Sequence, residues 1–335
     1  MLLAIDAGKT RTTLAYIDEN VSIKYIASVL GKKSSLIYPE DTIVKALSEV
    51  ISDFMKKFNI KNNIKLIIIS WADLDTEYYF NKAKRIVTSL SKDINVPQSK
   101  IMFEHDAVTA YYAATLGEPG VAVIAGTGAI AFGMNRKGEK ARSSGWGWLL
   151  GDEGSAVWIA LRALNAAVRA YDGRGEPTSL VDRLLKYYNL NNLLNIIDIL
   201  YSENLNIDDI AALAKIVSEE AERGDEVSIR ILREAGIELA SAVISVARRL
   251  NMINDNIVIG EVGSVFSSRI VFDTFKNAVA STLKHAIIKE PLISYQSIIG
   301  PIIMGLRILG HKITQKDYER LITEINNFKI NNTQQ

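Results

Sequence analysis

The fold of this chain is decided by one stretch, residues 121–155, which reads VAVIAGTGAIAFGMNRKGEKARSSGWGWLLGDEGS. The apolar run 121–124 predicts a buried strand that breaks at Gly126-Thr127-Gly128 and returns as a second apolar strand over residues 129–134. Glycines on both sides of a hydroxyl side chain let backbone N–H groups point one way without obstruction by a Cβ atom. The turn is therefore a candidate site for phosphate oxygens, although on its own it is also typical of an ordinary tight hairpin.

The second half of the same stretch combines an aromatic loop with two carboxylates. The loop GWGW at residues 145–148 is followed by GDEGS at residues 151–155 and then by an apolar helical run. Taken alone, GDEGS is an ordinary helix start in which Ser155 is the cap. Its position directly after the glycine-rich hairpin favours a polar pocket for a second ligand.

The N-terminus repeats the pattern of the hairpin. Residues 2–6 are apolar, residues 7–12 (AGKTRT) interrupt them, and an apolar run resumes at residues 13–17. An internal repeat of this kind indicates two similar domains, each with one phosphate-facing hairpin directed at a shared cleft. The length of 335 residues is sufficient for two domains.

Composition excludes several classes of function. The formal net charge of +1 makes nucleic acid an unfavoured partner, and no apolar run reaches membrane-spanning length. Because the N-terminal residues also lack a basic leader, we expect a cytoplasmic protein with no membrane partner. The chain has no cysteine, which excludes disulfides, thiolate nucleophiles and iron–sulfur clusters held by this subunit.

A candidate general base follows one of the predicted strands. Apolar runs at residues 64–70 and 100–104 predict strands of a parallel sheet, and Asp106 lies between the second run and a helical segment at 107–116. Ligands of open α/β sheets bind beyond the carboxyl ends of the strands, where a carboxylate can accept a proton. Aspartate is also a common helix N-cap, so both interpretations of Asp106 stay open. We interpret the neighbouring His105 as structural.

A third glycine turn suits a nucleotide. The apolar run 257–259 opens into GEVGSVFSS at residues 260–268, just before a helical segment. Small residues at a strand-to-helix turn allow close approach of a base and ribose. A tight turn with a serine cap is the alternative interpretation.

These motifs together resemble a known family. They are DAGKTRT (6–12), HD (105–106), GTG (126–128), GWG (145–147), GDEGS (151–155) and VGSV (262–265). In order and spacing they resemble the N-acetylglucosamine kinase family within the BadF/BcrA-type ATPases of the actin–hexokinase–chaperone superfamily, over nearly the entire chain. The resemblance implies an α/β fold of two duplicated actin-like (ribonuclease H-like) domains, each a mixed five-stranded sheet with helices, around an interdomain cleft.

The resemblance also implies domain boundaries. We expect an N-terminal domain at residues 1–117, onto which the C-terminal helix at about 313–330 packs back. The second domain is expected at residues 118–312, with a helical insertion at about 157–223.

The resemblance implies a role for each matching residue. Asp106 would be the catalytic base that takes the proton of the sugar hydroxyl, and Asp6 would bind Mg²⁺ through water. The residues implied to bind ATP are Asp6, Gly8, Lys9, Thr10, Gly126, Thr127, Gly128, Ala211, Gly263, Ser264 and Ser268. The residues implied to bind the sugar are Ser34, Asp106, Gly145, Trp146, Gly147 and Asp152.

Three positions depart from the family pattern. Lys9 replaces one of two consecutive glycines, and Ser34 or Ser35 stands where the family has a sugar-binding asparagine. Asp73 follows Ala72 where Ala-Gly is usual. Because a serine offers a shorter reach than an asparagine amide, these departures leave the identity of the sugar open.

The function implied is an ATP-dependent kinase that phosphorylates N-acetylglucosamine, glucosamine or a related hexose, at O6 by family analogy. The resemblance also implies a homodimer. The alternative is a nucleotide-binding regulator or degenerate kinase that phosphorylates no sugar. The absence of cysteine argues against a dehydratase-activating ATPase, because such proteins hold a subunit-bridging cluster through cysteines.

Overall fold

The structure is a computed structural model that describes residues 1–8, 11–30, 33–58, 60, 63–202 and 205–332. Lys9 and Thr10, both predicted to bind phosphate, lie outside the described residues. The strands are β1 (Leu2–Ala7), β2 (Arg11–Ile17), β3 (Ile23–Leu30), β4 (Leu66–Trp71), β5 (Ile101–His105), β6 (Gly120–Ala125), β7 (Ala129–Met134), β8 (Lys140–Ser144), β9 (Val258–Val262) and β10 (Ile287–Ile288). The helices are α1 (Glu40–Lys57), α2 (Glu77–Asp93), α3 (Asp106–Thr115), α4 (Ala156–Tyr171), α5 (Leu180–Tyr188), α6 (Ile196–Leu200), α7 (Ile207–Glu222), α8 (Glu226–Arg249), α9 (Arg269–Thr282), α10 (Ile299–Ile308) and α11 (Gln315–Asn332).

The chain divides into two compact units, and the first comprises Met1–Glu118 and Ser294–Gln335. Its five-stranded sheet has the order β3-β2-β1-β4-β5, in which β1, β2 and β3 pair antiparallel and β1, β4 and β5 pair parallel. All six residues of β4, LIIISW, are buried, as a strand covered on both faces requires. Helices α1 and α2 contribute to the core on one face, and α10 packs on β1, β4 and α3.

The second unit, Pro119–Ile293, repeats this sheet. Its order is β8-β7-β6-β9-β10, with β6, β7 and β8 antiparallel and β6, β9 and β10 parallel. Read from the first strand of each unit, the order and the directions are the same in both sheets. The predicted fold class of two mixed five-stranded sheets with helices is therefore confirmed.

Residues 294–312 belong to the first unit, whereas the sequence analysis expected the second domain to continue to residue 312. The reason is the tight packing of α10. A Cβ atom at Gly305 would lie 2.6 Å from Leu2 Cδ1, and one at Gly300 would lie against the backbone oxygen of Thr109. Glycines at these two positions let the helix approach β1 and α3 closely. Helix α11 also belongs to this unit, where Glu324 Oε2 accepts the N–H of Ile23 at 2.7 Å.

Helices α4 to α7 of the second unit precede the long helix α8. The buried face of α7, which includes Ile210, Leu213 and Val217, joins the same core as α4 and α8. Apolar residues at this spacing form one stripe along a helix, so α4, α7 and α8 pack together through their apolar faces. Within the described part of the chain, no helix is both long enough and apolar enough to span a membrane.

Candidate functional site

Three parallel strands of the first unit end side by side. Asp6 on β1 aligns with Ser70 on β4, and Ser70 aligns with Glu104 on β5. Asp106 follows β5 directly as the first residue of α3. The carboxyl edge of this sheet therefore carries several acidic side chains, at the position where open α/β sheets bind ligands.

The environment of Asp6 shifts the pKa of its carboxyl group. Its Oδ2 accepts a hydrogen bond of 2.6 Å from the hydroxyl of Ser297. Burial raises the pKa of Asp6 to about 6, and the negative charge of Asp106 acts in the same direction, whereas hydrogen bonds from Ser297 and Ser70 oppose the shift. Ionised Asp6 would thus be stabilised by a nearby cation.

Asp106 is not the N-cap of α3, which was the alternative interpretation of this residue. The N-cap of α3 is His105, whose Nδ1 lies 2.9 Å from the N–H of Ala107, and Asp106 is already the first helical residue. The side chain of Asp106 is 29% exposed. Its side chain is therefore accessible and is not used as the cap.

His105 lies between two carboxylates. Its Nδ1 is 2.9 Å from Asp106 Oδ1, and its Nε2 is 3.1 Å from Asp75 Oδ1. Burial lowers the pKa of His105, but hydrogen bonds and charge attraction from Asp106 and Asp75 outweigh it and raise the pKa to about 10. Interpreting His105 as merely structural missed this contact. The available signal was an aspartate beyond each of two adjacent parallel strands.

One departure from the family pattern, Ser34 or Ser35, lies in the loop after β3, and another, Asp73, follows β4. Ser34, a predicted sugar ligand, is fully buried, and its hydroxyl lies 2.6 Å from Thr12 Oγ1. The hydroxyl of Ser35 donates to Asp73 Oδ2 at 2.9 Å. Asp73 has φ of 66°, a left-handed conformation that glycine adopts most readily, which suits a position where the family has glycine. Ser35 and Asp73 thus replace the family residues as a bonded pair.

In the second unit, the predicted phosphate turn lies at the start of α4. The carbonyls of Gly126 and Thr127 accept the N–H groups of Ala156 and Val157 at 2.8 and 3.4 Å. Among the described residues, no backbone carbonyl accepts from the N–H groups of Thr127 and Gly128. These two N–H groups can therefore donate to an anion. Ser155 caps α4, as predicted, by accepting the N–H of Trp158.

Asp152 joins the aromatic loop to this turn. Its Oδ1 accepts the N–H of Gly147 at 3.2 Å, and a Cβ atom at Gly128 would lie 2.6 Å from its Oδ2. Gly145 is held at the start of β7, where its N–H donates to Ala129 O at 2.9 Å. The side chain of Trp146 is 66% exposed, with the guanidinium of Arg142 5.4 Å from its ring centroid. The structure thus brings the GWG loop, Asp152 and the glycine turn together.

The third glycine turn lies beside the second. Strands β6 and β9 are parallel neighbours, so Gly126 and Gly263 follow adjacent strand ends. Gly263 has φ of 119°, and a Cβ atom there would clash with Ala125 O, so only glycine fits. Ser264 is exposed, and Ser268 precedes α9 without a side-chain capping bond, contrary to the serine-cap alternative.

Asp208 is a neighbour of the turn that the sequence analysis missed. The hydroxyl of Thr127 donates to Asp208 Oδ1 at 3.1 Å, which connects the turn to α7. Ala211 lies three residues further along α7, on the same side of the helix. Acidic residues are common in the first turn of any helix, so the sequence carried no specific signal for this contact.

Comparisons with known proteins identify the family of this chain. Residues 3–305 match the BadF/BadG/BcrA/BcrD ATPase family. The chain belongs to this family. The resemblance noted from the motifs is thereby confirmed, and family membership implies that the chain uses ATP.

Curated relatives and solved structures extend the comparison. The chain is 30% identical over 279 residues to an N-acetylmuramic acid/N-acetylglucosamine kinase of Clostridium acetobutylicum, covering 82% of this chain and 89% of the relative. It is 30% identical over 263 residues to an N-acetyl-D-glucosamine kinase of Dictyostelium discoideum, covering 75% and 81%. A crystal structure of a candidate N-acetylglucosamine kinase from Chromobacterium violaceum superposes with a TM-score of 0.70 at 19% identity, over 90% of this chain and 98% of the other. That structure supports the fold.

Proposed function

We propose that this member of the family is an ATP-dependent sugar kinase that phosphorylates N-acetylglucosamine or a closely related hexosamine, at O6. The observation that carries the proposal is the accessible carboxylate of Asp106 at the carboxyl end of a parallel strand. It occurs in a chain that is 30% identical to two curated N-acetylglucosamine kinases over most of its length.

Asp106 would accept the proton of the sugar hydroxyl as that oxygen attacks the γ-phosphate. Phosphoryl transfer depends mainly on positioning and on neutralising charge, so one correctly placed base is sufficient for the sugar side. The oxygen available for this role is Oδ2, because Oδ1 faces His105.

The glycine turns of the second unit would bind ATP. The N–H groups of Thr127 and Gly128 would donate to phosphate oxygens. The residues proposed for the adenosine are Ala211, Gly263, Ser264 and Ser268. Gly8, Lys9 and Thr10 are retained as proposed phosphate ligands, and Gly8 is held in its turn by donating its N–H to Arg11 O at 3.0 Å.

The sugar would meet the aromatic loop. An exposed indole such as that of Trp146 offers a flat apolar face to a sugar ring, and the backbone of Gly145 and Gly147 allows close approach. Asp152 would act chiefly by holding this loop, because it is 8% exposed and already accepts from Gly147. Ser35 and Asp73 would take the place of the asparagine that binds the sugar in the family.

The residues present also fit a magnesium ion. No group of three or more His, Cys, Asp or Glu side chains among the described residues is placed to hold a metal. Mg²⁺ commonly binds one or two carboxylates and completes its coordination with water and phosphate oxygens, and Asp6 would be stabilised by a cation. Asp6 would therefore hold Mg²⁺ through water, and the ion would neutralise phosphate charge.

A direct assay tests the proposal. Purified protein is mixed with ATP, Mg²⁺ and each of several sugars, including N-acetylglucosamine, glucosamine, N-acetylmuramic acid and glucose, and ADP release is followed. We expect N-acetylglucosamine to raise ADP release well above the rate without sugar. If a folded sample binds ATP but no sugar raises the rate, the kinase proposal fails and the regulator alternative replaces it.

The resemblance also supports a proposal about assembly and location. We propose a cytoplasmic homodimer, with no nucleic-acid or membrane partner. Light scattering of the purified protein gives its molar mass directly, and the mass of a single chain, 37.0 kDa, would contradict the dimer.

A further inference from the structure

We propose that His105 is a positioning residue: held by Asp75, its imidazolium orients Asp106 so that Oδ2 meets the sugar hydroxyl. This inference rests on the proposed kinase function, and it assigns a task to His105 and Asp75, to which the family resemblance gave no role.

The sheet places the three side chains together. Strands β4 and β5 are parallel, with Trp71 aligned to His105, so Asp75 follows one strand end and Asp106 follows the other. The ring of His105 lies between them, with Nε2 3.1 Å from Asp75 and Nδ1 2.9 Å from Asp106. The side chain of His105 is 15% exposed, so solvent screens these contacts weakly.

The two carboxylates beside the ring nitrogens favour the protonated ring. An unprotonated Nδ1 would place a lone pair 2.9 Å from a carboxylate oxygen of Asp106, which is repulsive. In the protonated ring Nδ1 carries a hydrogen and faces Asp106 Oδ1, so it no longer accepts the N–H of Ala107, and the cap of α3 is then positional only. Glu104 is the third acidic residue here, and its Oε1 accepts the backbone N–H of His105 at 2.9 Å. The raised pKa of His105, about 10, agrees with an imidazolium at neutral pH.

The imidazolium of His105 affects both the charge and the orientation of Asp106. The charge of Asp6 acts on Asp106 from the end of β1, which β4 separates from β5, and like charges repel. A charge-assisted bond from His105 to Oδ1 holds the carboxylate in one rotamer and leaves Oδ2 for the substrate. Misorientation of a catalytic group by about 1 Å can lower the rate by about 100-fold without removing the binding contacts.

The ion pairs can be tested without any assay of activity. The chain has three histidines, His105, His285 and His311, so NMR titration of the imidazole signals is simple to assign with His105→Asn. We expect the His105 signal to stay in its protonated position beyond pH 8, and Asp75→Asn to move its titration to lower pH. A wild-type His105 that titrates near its ordinary value of 6.5 would overturn the inference.

Kinetics test the positioning role. His105→Ala should lower kcat between about 10- and 100-fold while the KM for the sugar changes by less than about threefold. His105→Asn should recover most of the rate, because its amide nitrogen can donate to Asp106 from near the place of Nδ1. His285→Ala, at an exposed histidine of the second unit, is the matched control and should behave as wild type.

The outcomes separate the two proposals. If wild-type protein shows no sugar-dependent turnover, the proposed function fails, and with it the catalytic part of this inference. If wild type is active but His105→Ala has the same kcat, only the inference fails. A large rise in KM with little change in kcat would also overturn it, because His105 would then be a sugar ligand.

Discussion

The two units have the same sheet topology, but the ends of their parallel strands carry different residue types. In the first unit, the parallel strands end in acidic residues, Asp6 on β1 and Asp106 after β5. In the second unit, the matching strands β6 and β9 end in glycine turns that begin at Gly126 and Gly263. Order and direction are repeated, so topology alone does not assign a role. Under the proposed function, the residue types at the strand ends assign the base to the first unit and the backbone donors for phosphate to the second.

The fourth strand of each unit also carries a buried polar side chain. The two side chains differ in whether they have a hydrogen-bond partner. On β4 of the first unit, buried Ser70 pairs with Thr109 at 2.8 Å between hydroxyl oxygens. On β9 of the second unit, Glu261 is 1% exposed, and neither carboxyl oxygen has a hydrogen-bond partner among the described residues. The first arrangement stabilises its unit, whereas the second destabilises it whenever Glu261 is ionised.

The largest effect is expected at Asp106. Asp106→Asn keeps the shape of the side chain but cannot accept the proton, so kcat should fall by about 1,000-fold. Calorimetry should find sugar binding close to that of wild type, because the substitution leaves the polar contact in place. Wild-type turnover in this variant would remove Asp106 from the role of base and break the contrast between the units.

Asp6→Asn tests the second acidic strand end. Loss of the carboxylate should reduce kcat by about 100-fold and raise the Mg²⁺ concentration needed for half-maximal rate. The variant also has a stability signature. Because burial raises the pKa of Asp6 to about 6, the folded state loses stability as the pH rises from about 4 to about 6.

Asp6→Asn should therefore unfold at a higher temperature than wild type at pH 7 without nucleotide, and at a similar temperature at pH 4. Thermal unfolding at the two pH values measures this. A variant that is less stable than wild type at pH 7 would contradict the raised pKa of Asp6.

Gly128→Ala tests the backbone turn of the second unit. The added Cβ would lie 2.6 Å from Asp152 Oδ2, so the turn must shift, and the KM for ATP should rise by about tenfold. Gly138→Ala is the matched control at the other end of β7, where an added Cβ meets nothing within 4 Å. Its φ of 79° predicts some loss of stability but no change in the KM for ATP. Equal kinetics for the two variants would argue against the phosphate turn.

The smallest effect concerns Glu261. Burial raises its pKa well above 4.5, so the folded state holds the proton and wild-type stability falls as the pH rises above that value. Glu261→Gln removes the titration, and at pH 8 it should be more stable than wild type by about 1 kcal/mol. The difference should shrink at pH 5. If the stability difference between Glu261→Gln and wild type is the same at pH 5 and pH 8, Glu261 has a partner in solution.

Local pattern was sufficient to predict much of this fold. The apolar run at 129–134 matches β7, because the apolar residues of a buried strand mark in the sequence where it begins and ends. The polar segment KARSS gave no such signal, yet it forms β8, because its pairing with β7 supplies the hydrogen bonds. Strand β10 has two residues and is likewise defined by its partner β9.

The candidate site was less accessible from sequence where contacts are distant along the chain. Ser297 reaches Asp6, and Asp208 reaches Thr127, through packing that no local pattern encodes. The burial of Ser34 likewise follows from its bond to Thr12 on β2. Glycine turns and strand-end carboxylates could be predicted because backbone conformation and parallel topology fix their places.

One measurement tests the central claim most directly. Wild type and Asp106→Asn are incubated side by side with ATP, Mg²⁺ and N-acetylglucosamine, and mass spectrometry counts the sugar phosphate formed for each ADP released. The proposal predicts equal amounts of sugar phosphate and ADP from wild type, and almost none of either from the variant, which still binds ATP. Formation of ADP without sugar phosphate, or equal rates in the two proteins, would contradict it.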